Sequence, residues 1–164
     1  GNFLAEILDR KLRAVESRYR KSLLEYERNA VLAVTSIYGI DILEDNVLEC
    51  RRRLFAIFDK NYGSLFREAC LRSVEFVLGR NIVWGDALTL TTVGENPQPI
   101  VFSEWSPVNG GMFKRRDFAF RELLYCEGMR EQPLFSDLGE NVFLPTPVKD
   151  FPLVHFLEVA DAER

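Results

Sequence analysis

A chain of 164 residues, 47% hydrophobic and 28% charged with a formal net charge of −4, has the composition of one globular domain and is short for two. The mild acidity speaks against a nucleic-acid surface, which needs a basic face, and no run approaches the roughly 20 apolar residues of a membrane span. Three cysteines (Cys50, Cys70, Cys126) stand far apart with no C-x-x-C between them, so they read as small packed hydrophobes rather than as a disulfide framework or a zinc site.

From residue 3 to residue 38 the text contains neither proline nor glycine and is rich in Leu, Ala, Glu, Arg and Lys. Apolar residues recur at Leu8, Leu12, Val15, Tyr19, Leu23, Tyr26, Ala30, Val34 and Ile37, spaced 4, 3, 4. That repeat is close to the pitch of an undistorted helix and predicts one long straight helix over 3–38 with a continuous seam. Such a helix would extend about 50 Å, beyond a small domain, so part of its seam is expected to meet a second copy of the chain.

Gly39 ends this segment, and "DILEDN" reads as a turn. Helices are predicted over 47–58 and 65–78, the second capped by Ser64 and stopped by Gly79. Arg51, Arg52 and Arg53 read as a solvated face. After Gly79 the period shortens to that of strands. Strands are predicted over 86–93 and 99–105 around a Gly-Glu-Asn-Pro turn. "SPVNGGMFKRR" reads as a loop and 117–125 as a short helix. Closing strands follow over 133–136, 142–148 and 153–159, the middle one demoted by Pro145 and Pro147. The expected fold class is α+β: a helical part over 1–79, then a mostly antiparallel sheet part over 80–164.

Three stretches carry a family resemblance: "ALTLTTVGENPQPIVFSEW", "RRDFAFRELLYCEGMREQPLFSDL" and "FLPTPVKDFPLVHFLEV". With a helical prelude followed by β-β-α-β-β-β, the chain resembles the PAS-like sensor superfold, in its Cache branch more than its GAF branch. The resemblance implies a ligand-sensing input domain of a signal-transduction receptor. It also implies a homodimer through the first helix and a periplasmic location, with a cytoplasmic one as the GAF alternative. The chain is then read as a piece of a larger signalling protein, touching a membrane only through segments outside it. A ligand-free dimerisation or scaffold module is the competing expectation.

Catalytic signatures are missing from the text. One histidine leaves no H-E-x-x-H, and neither a P-loop nor a G-x-S-x-G elbow occurs. No enzyme activity, cofactor or metal is expected. A binding pocket needs a few convergent polar groups among aromatics, and the interval 84–150 offers Trp84, Trp105, Arg115, Arg116, Asp117, Arg121, Tyr125, Asp137 and Asp150. By the resemblance, Arg116 and Arg121 would clamp the carboxylate of a small acid or amino acid, Asp137 or Asp150 would hold an ammonium group, and Trp84, Trp105 and Tyr125 would wall the pocket. His155 reads as a packed histidine on a closing strand, or as one donor at the pocket floor.

Overall fold

A computed structural model describes residues 2–62, 67–130 and 145–161. The fold is α+β. The expected long helix is two helices, α1 (Asn2–Tyr19) and α2 (Leu23–Thr35), packed against each other as a hairpin. The reversal lies at Arg20-Lys21-Ser22. Ser22 adopts extended backbone geometry (φ −131°, ψ 110°), and its hydroxyl accepts from the Glu25 amide. "SLLE" is thus a capping-box spacing inside text whose apolar rhythm never falters. The 4-3-4 pattern records which side chains are buried, and it is blind to a chain reversal that keeps them so. Leu23, at the reversal, is the seam residue left exposed.

Three more elements complete the helical layer: β1 (Gly39–Asp41), α3 (Glu44–Tyr62) and α4 (Glu68–Asn81). Helix α1 packs on α2 and α3, and α4 packs on the same two, so the four helices close a ring. Leu8, Leu12, Ala30, Val31, Val34, Leu54, Phe58, Val74 and Val77 fill its centre. The seam that was expected to need a second copy is therefore covered by the chain's own helices. Helix α3 begins earlier than predicted because the Asp41 carboxylate accepts from the Leu43 amide and the first turn carries Glu44 and Asp45, both favourable at a helix N-terminus.

Helix α4 runs through Gly79 instead of stopping there. The Arg51 guanidinium donates to the carbonyls of Gly79 (3.0 Å) and Ile82 (2.6 and 3.0 Å). These contacts satisfy carbonyls that a helix end leaves without partners. Arg51 is thus a tether between α3 and the end of α4, not merely part of a solvated face. Strand β2 (Ile82–Asp86) follows directly and pairs parallel with β1, then antiparallel with β3 (Thr91–Thr92). The turn between β2 and β3 occupies 87–90, where Leu90 takes a left-handed conformation (φ 61°). The predicted 86–93 strand is therefore displaced toward the chain start.

The second sheet holds β4 (Val101–Val108), β5 (Met112–Ala119), β6 (Lys149–Asp150) and β7 (Val154–His155), with β5 central. Most of the predicted "SPVNGGMFKRR" loop is the heart of its main hairpin, and the start of the predicted 117–125 helix is strand. Asn109-Gly110-Gly111 makes the connection, and both glycines sit at positive φ (74° and 79°). Along β5, Phe113, Arg115 and Asp117 face inward while Lys114 and Arg116 alternate outward. Two buried polar residues in "FKRRDF" disguise a strand as a loop. Helix α5 (Phe120–Arg130) follows. The last predicted strand is curtailed to Val154–His155 and a turn follows it. The strand predicted over 133–136 lies outside the described residues, as does Ser64.

Candidate functional site

The inner face of the β4–β5 sheet is filled by its own side chains. Arg115 lies at its centre, its guanidinium 4.0 Å from the centroid of Phe151, 5.5 Å from Trp105 and 5.7 Å from Phe76 of α4. Asp117 and Ser103 satisfy its polar edge. Among the described residues this knot packs the face over which the sequence predicts a pocket.

An open groove of about 520 Å³ lies instead between the α1–α2 hairpin and strand β4. Ala14, Val15, Leu32, Ala33 and Trp105 give it apolar walls, and Lys11, Arg18, Asn29, Tyr38 and Glu104 give it polar groups. The hairpin places these residues together, since α2 runs back along α1. Lys11 marks the register by donating to the Ser36 hydroxyl at 2.5 Å. Tyr38 fixes the hairpin to the sheet, its phenol donating to the Ser103 carbonyl at 2.8 Å. Burial, helped by the Glu104 charge, pushes that phenol up to about 12. Trp105 is buried, and its indole N–H has no hydrogen-bond partner among the described residues. A buried donor without an acceptor is uncommon in folded proteins and costly.

Of the candidate site residues read from the sequence that are described, only Trp105 lines this groove, beside the seam residues Val15 and Tyr19. Trp84 is half-buried on β2, and its indole donates to the Ile42 carbonyl at 3.0 Å. Arg116 faces outward and pairs with Glu104 across the β4–β5 register (2.7 and 2.9 Å). It makes no clamp with Arg121, which sits exposed in the first turn of α5. Tyr125 is 70% exposed and lies outside the groove lining. Asp150 pairs with Lys114. Asp137 lies outside the described residues. His155 is half-buried; its Nδ1 accepts from the Leu157 amide at 3.3 Å and its ring packs on Phe156. That is the packed histidine of the first alternative, at the end of a shorter strand. Lys11, Arg18 and Tyr38 carry no signal in the sequence, because a straight helix would have kept them far from β4.

A second polar cluster ties three helices together. Glu27, fully buried on α2, accepts from the Tyr62 phenol of α3 and pairs with Arg67 at 2.9 Å, just before α4. Tyr26 stacks on Tyr62. Burial, with the Glu27 charge beside it, pushes the neighbouring Cys70 thiol up to about 12, so it is a poor nucleophile near neutral pH. Burial likewise raises Cys50. Among the described residues no group of His, Cys, Asp and Glu is arranged to hold a metal ion, and no helix is long and apolar enough to cross a membrane.

Comparison with protein-family models, with curated proteins and with solved structures finds no match to this chain.

Proposed function

We propose that this chain is a small-molecule-binding input domain of a signalling protein, with its ligand seated between the α1–α2 hairpin and β4. One observation carries the reading: Trp105, buried on the groove wall, has an indole N–H that no described residue accepts from. That nitrogen is itself closed to solvent, so a ligand oxygen would complete it once the hairpin opens over it, in a site whose apolar walls and few polar groups have the make-up of a ligand pocket. The groove joins two helices to a sheet, so a ligand that fits one hairpin angle better than another would shift the hairpin against β4. This keeps the sensor expectation drawn from the PAS-like resemblance and moves its site off the sheet face. The competing scaffold reading draws on the filled inner face of the sheet.

The test is thermal denaturation with a mixed panel of small acids, amines and neutral compounds. The native chain and a groove-filling Ala14→Trp variant are compared. Ala14 is exposed, so the fold tolerates the change. At least one compound is expected to raise the melting temperature of the native chain and not of the variant. A panel with no such compound would overturn the reading in favour of a scaffold.

A further inference from the structure

We infer that the groove selects a small organic monoanion with an apolar body, and that Arg18 is the residue that holds its acid group. This rests on the groove being the ligand site. The chain as a whole is acidic, with a net charge of −4, yet its groove has the opposite bias. Two cations, Lys11 and Arg18, and one carboxylate, Glu104, line it. Glu104 is engaged by Arg116. Among the described residues Lys11 donates to a neutral hydroxyl alone, that of Ser36. Arg18, exposed on α1, has no side-chain hydrogen-bond or ion-pair partner among the described residues, as is also true of Arg20 outside the groove, whereas Arg10, Arg13 and Arg28 of the same hairpin each pair with a carboxylate. An unpaired guanidinium beside apolar walls suits the planar, two-point recognition of a carboxylate.

The rest of the lining sets the other limits. Ala14, Val15, Leu32, Ala33 and Trp105 offer an apolar surface for a hydrocarbon body. Lys11 and Arg18 stand seven residues apart on α1 and therefore about 10 Å along the helix axis. They flank the groove rather than converge, so one acid group meets Arg18 while Lys11 adds field from the far end. A second negative charge would approach Glu104, and an ammonium group would meet two cations. Both disfavour polyanions and amines.

The probes are hexanoate, hexanamide and hexylamine, which share one apolar body and differ in charge. The readout is the Trp105 indole N–H resonance in proton–nitrogen spectra, with the Trp84 indole as internal control. Hexanoate is expected to move the Trp105 signal saturably at millimolar concentration and to leave Trp84 in place. Hexanamide and hexylamine should bind about tenfold more weakly or not at all, and Arg18→Gln should weaken hexanoate by about tenfold, the loss of a charge-assisted contact. Equal binding of hexanamide, or an Arg18→Gln variant that binds hexanoate unchanged, overturns the monoanion assignment and leaves the groove as a site. Failure of all three probes to move Trp105 overturns the groove itself. Movement of the signal with protein concentration alone would place a second copy there and overturn the inference.

Discussion

Arg115 and Asp117, two residues apart on the inward face of β5, form an ion pair at 2.8 Å in which both partners are at least nine-tenths buried. Ser103 completes it from β4, donating to Asp117 at 2.7 Å and accepting from Arg115 at 3.0 Å. The aromatic rings of Phe151, Trp105 and Phe76 surround the guanidinium. Such a pair gains little over apolar side chains of the same volume, but removing one partner strands a buried charge. Asp117→Ala is therefore expected to lose about 3–5 kcal/mol of stability. The double variant Arg115→Met, Asp117→Leu should lose less than Asp117→Ala alone. Urea denaturation of the two variants checks this, and a double variant less stable than the single would show the pair to be net stabilising.

The same pair explains why the central strand was hard to read. Inward positions of a strand are ordinarily apolar, and "FKRRDF" places an Arg and an Asp there. Composition alone assigns such a stretch to solvent. The pairing that makes the burial tolerable depends on Ser103 and Phe151, which come from other strands and loops. The helix content and the α+β class were legible because they follow from local periodicity. The hairpin between α1 and α2 was not, since a reversal that preserves burial preserves the periodicity; only the Ser22–Glu25 capping spacing marked it. The groove residues were illegible for the same reason, because Lys11, Arg18 and Tyr38 meet β4 only after the chain has turned back.

The Asn109–Gly111 turn gives a graded test of backbone strain. Gly110 and Gly111 both hold positive φ, but a Cβ on Gly111 would sit 3.0 Å from His155 Nε2 while one on Gly110 would meet nothing within 4 Å. Gly110→Ala should lose about 1 kcal/mol, the cost of the left-handed conformation. Gly111→Ala should lose more, and His155→Ala in the same chain should return only the excess. Gly79, in helix α4 with open space around it, should respond oppositely: Gly79→Ala is expected to stabilise by about 0.5–1 kcal/mol. Thermal denaturation of the four variants ranks them.

Alkaline pH should weaken the fold through Cys70 and Tyr38. Burial, with Glu27 beside it, raises Cys70 from 9.0 to about 12, and burial with Glu104 beside it raises Tyr38 from 10.0 to about 12. Between those limits the unfolded chain has released the proton and the folded chain still holds it. The unfolded state therefore binds fewer protons, and stability falls as pH rises. The contribution is fully present below pH 9 for Cys70 and is lost as pH approaches about 12, at a slope of up to about 1.4 kcal/mol per pH unit. Cys50, also raised by burial, adds to the decline from the same pH, so Cys70→Ala should make the decline above pH 9 shallower without moving its onset to the tyrosine range near pH 10. Urea midpoints across this range measure it, and a decline of unchanged steepness in Cys70→Ala would remove Cys70 as a source.

A charge in the first-helix seam separates the straight-helix expectation from the observed hairpin. If the seam served a dimer, Leu12→Asp would leave a folded monomer. Leu12 is instead only 1% exposed, inside the ring closed by α1, α2, α3 and α4. An aspartate there buries an unpaired carboxylate and removes a leucine from a packed core, and either loss alone is of the order of several kcal/mol. Leu12→Asp should therefore unfold the chain, with loss of its helical circular dichroism and not only of any dimer in sedimentation. Leu23→Asp, at the exposed reversal, should change stability by no more than about 0.5 kcal/mol. A folded, monomeric Leu12→Asp would restore the long helix, because only a seam facing a second copy tolerates that charge. The pair of variants thus tests the reversal on which the groove itself depends.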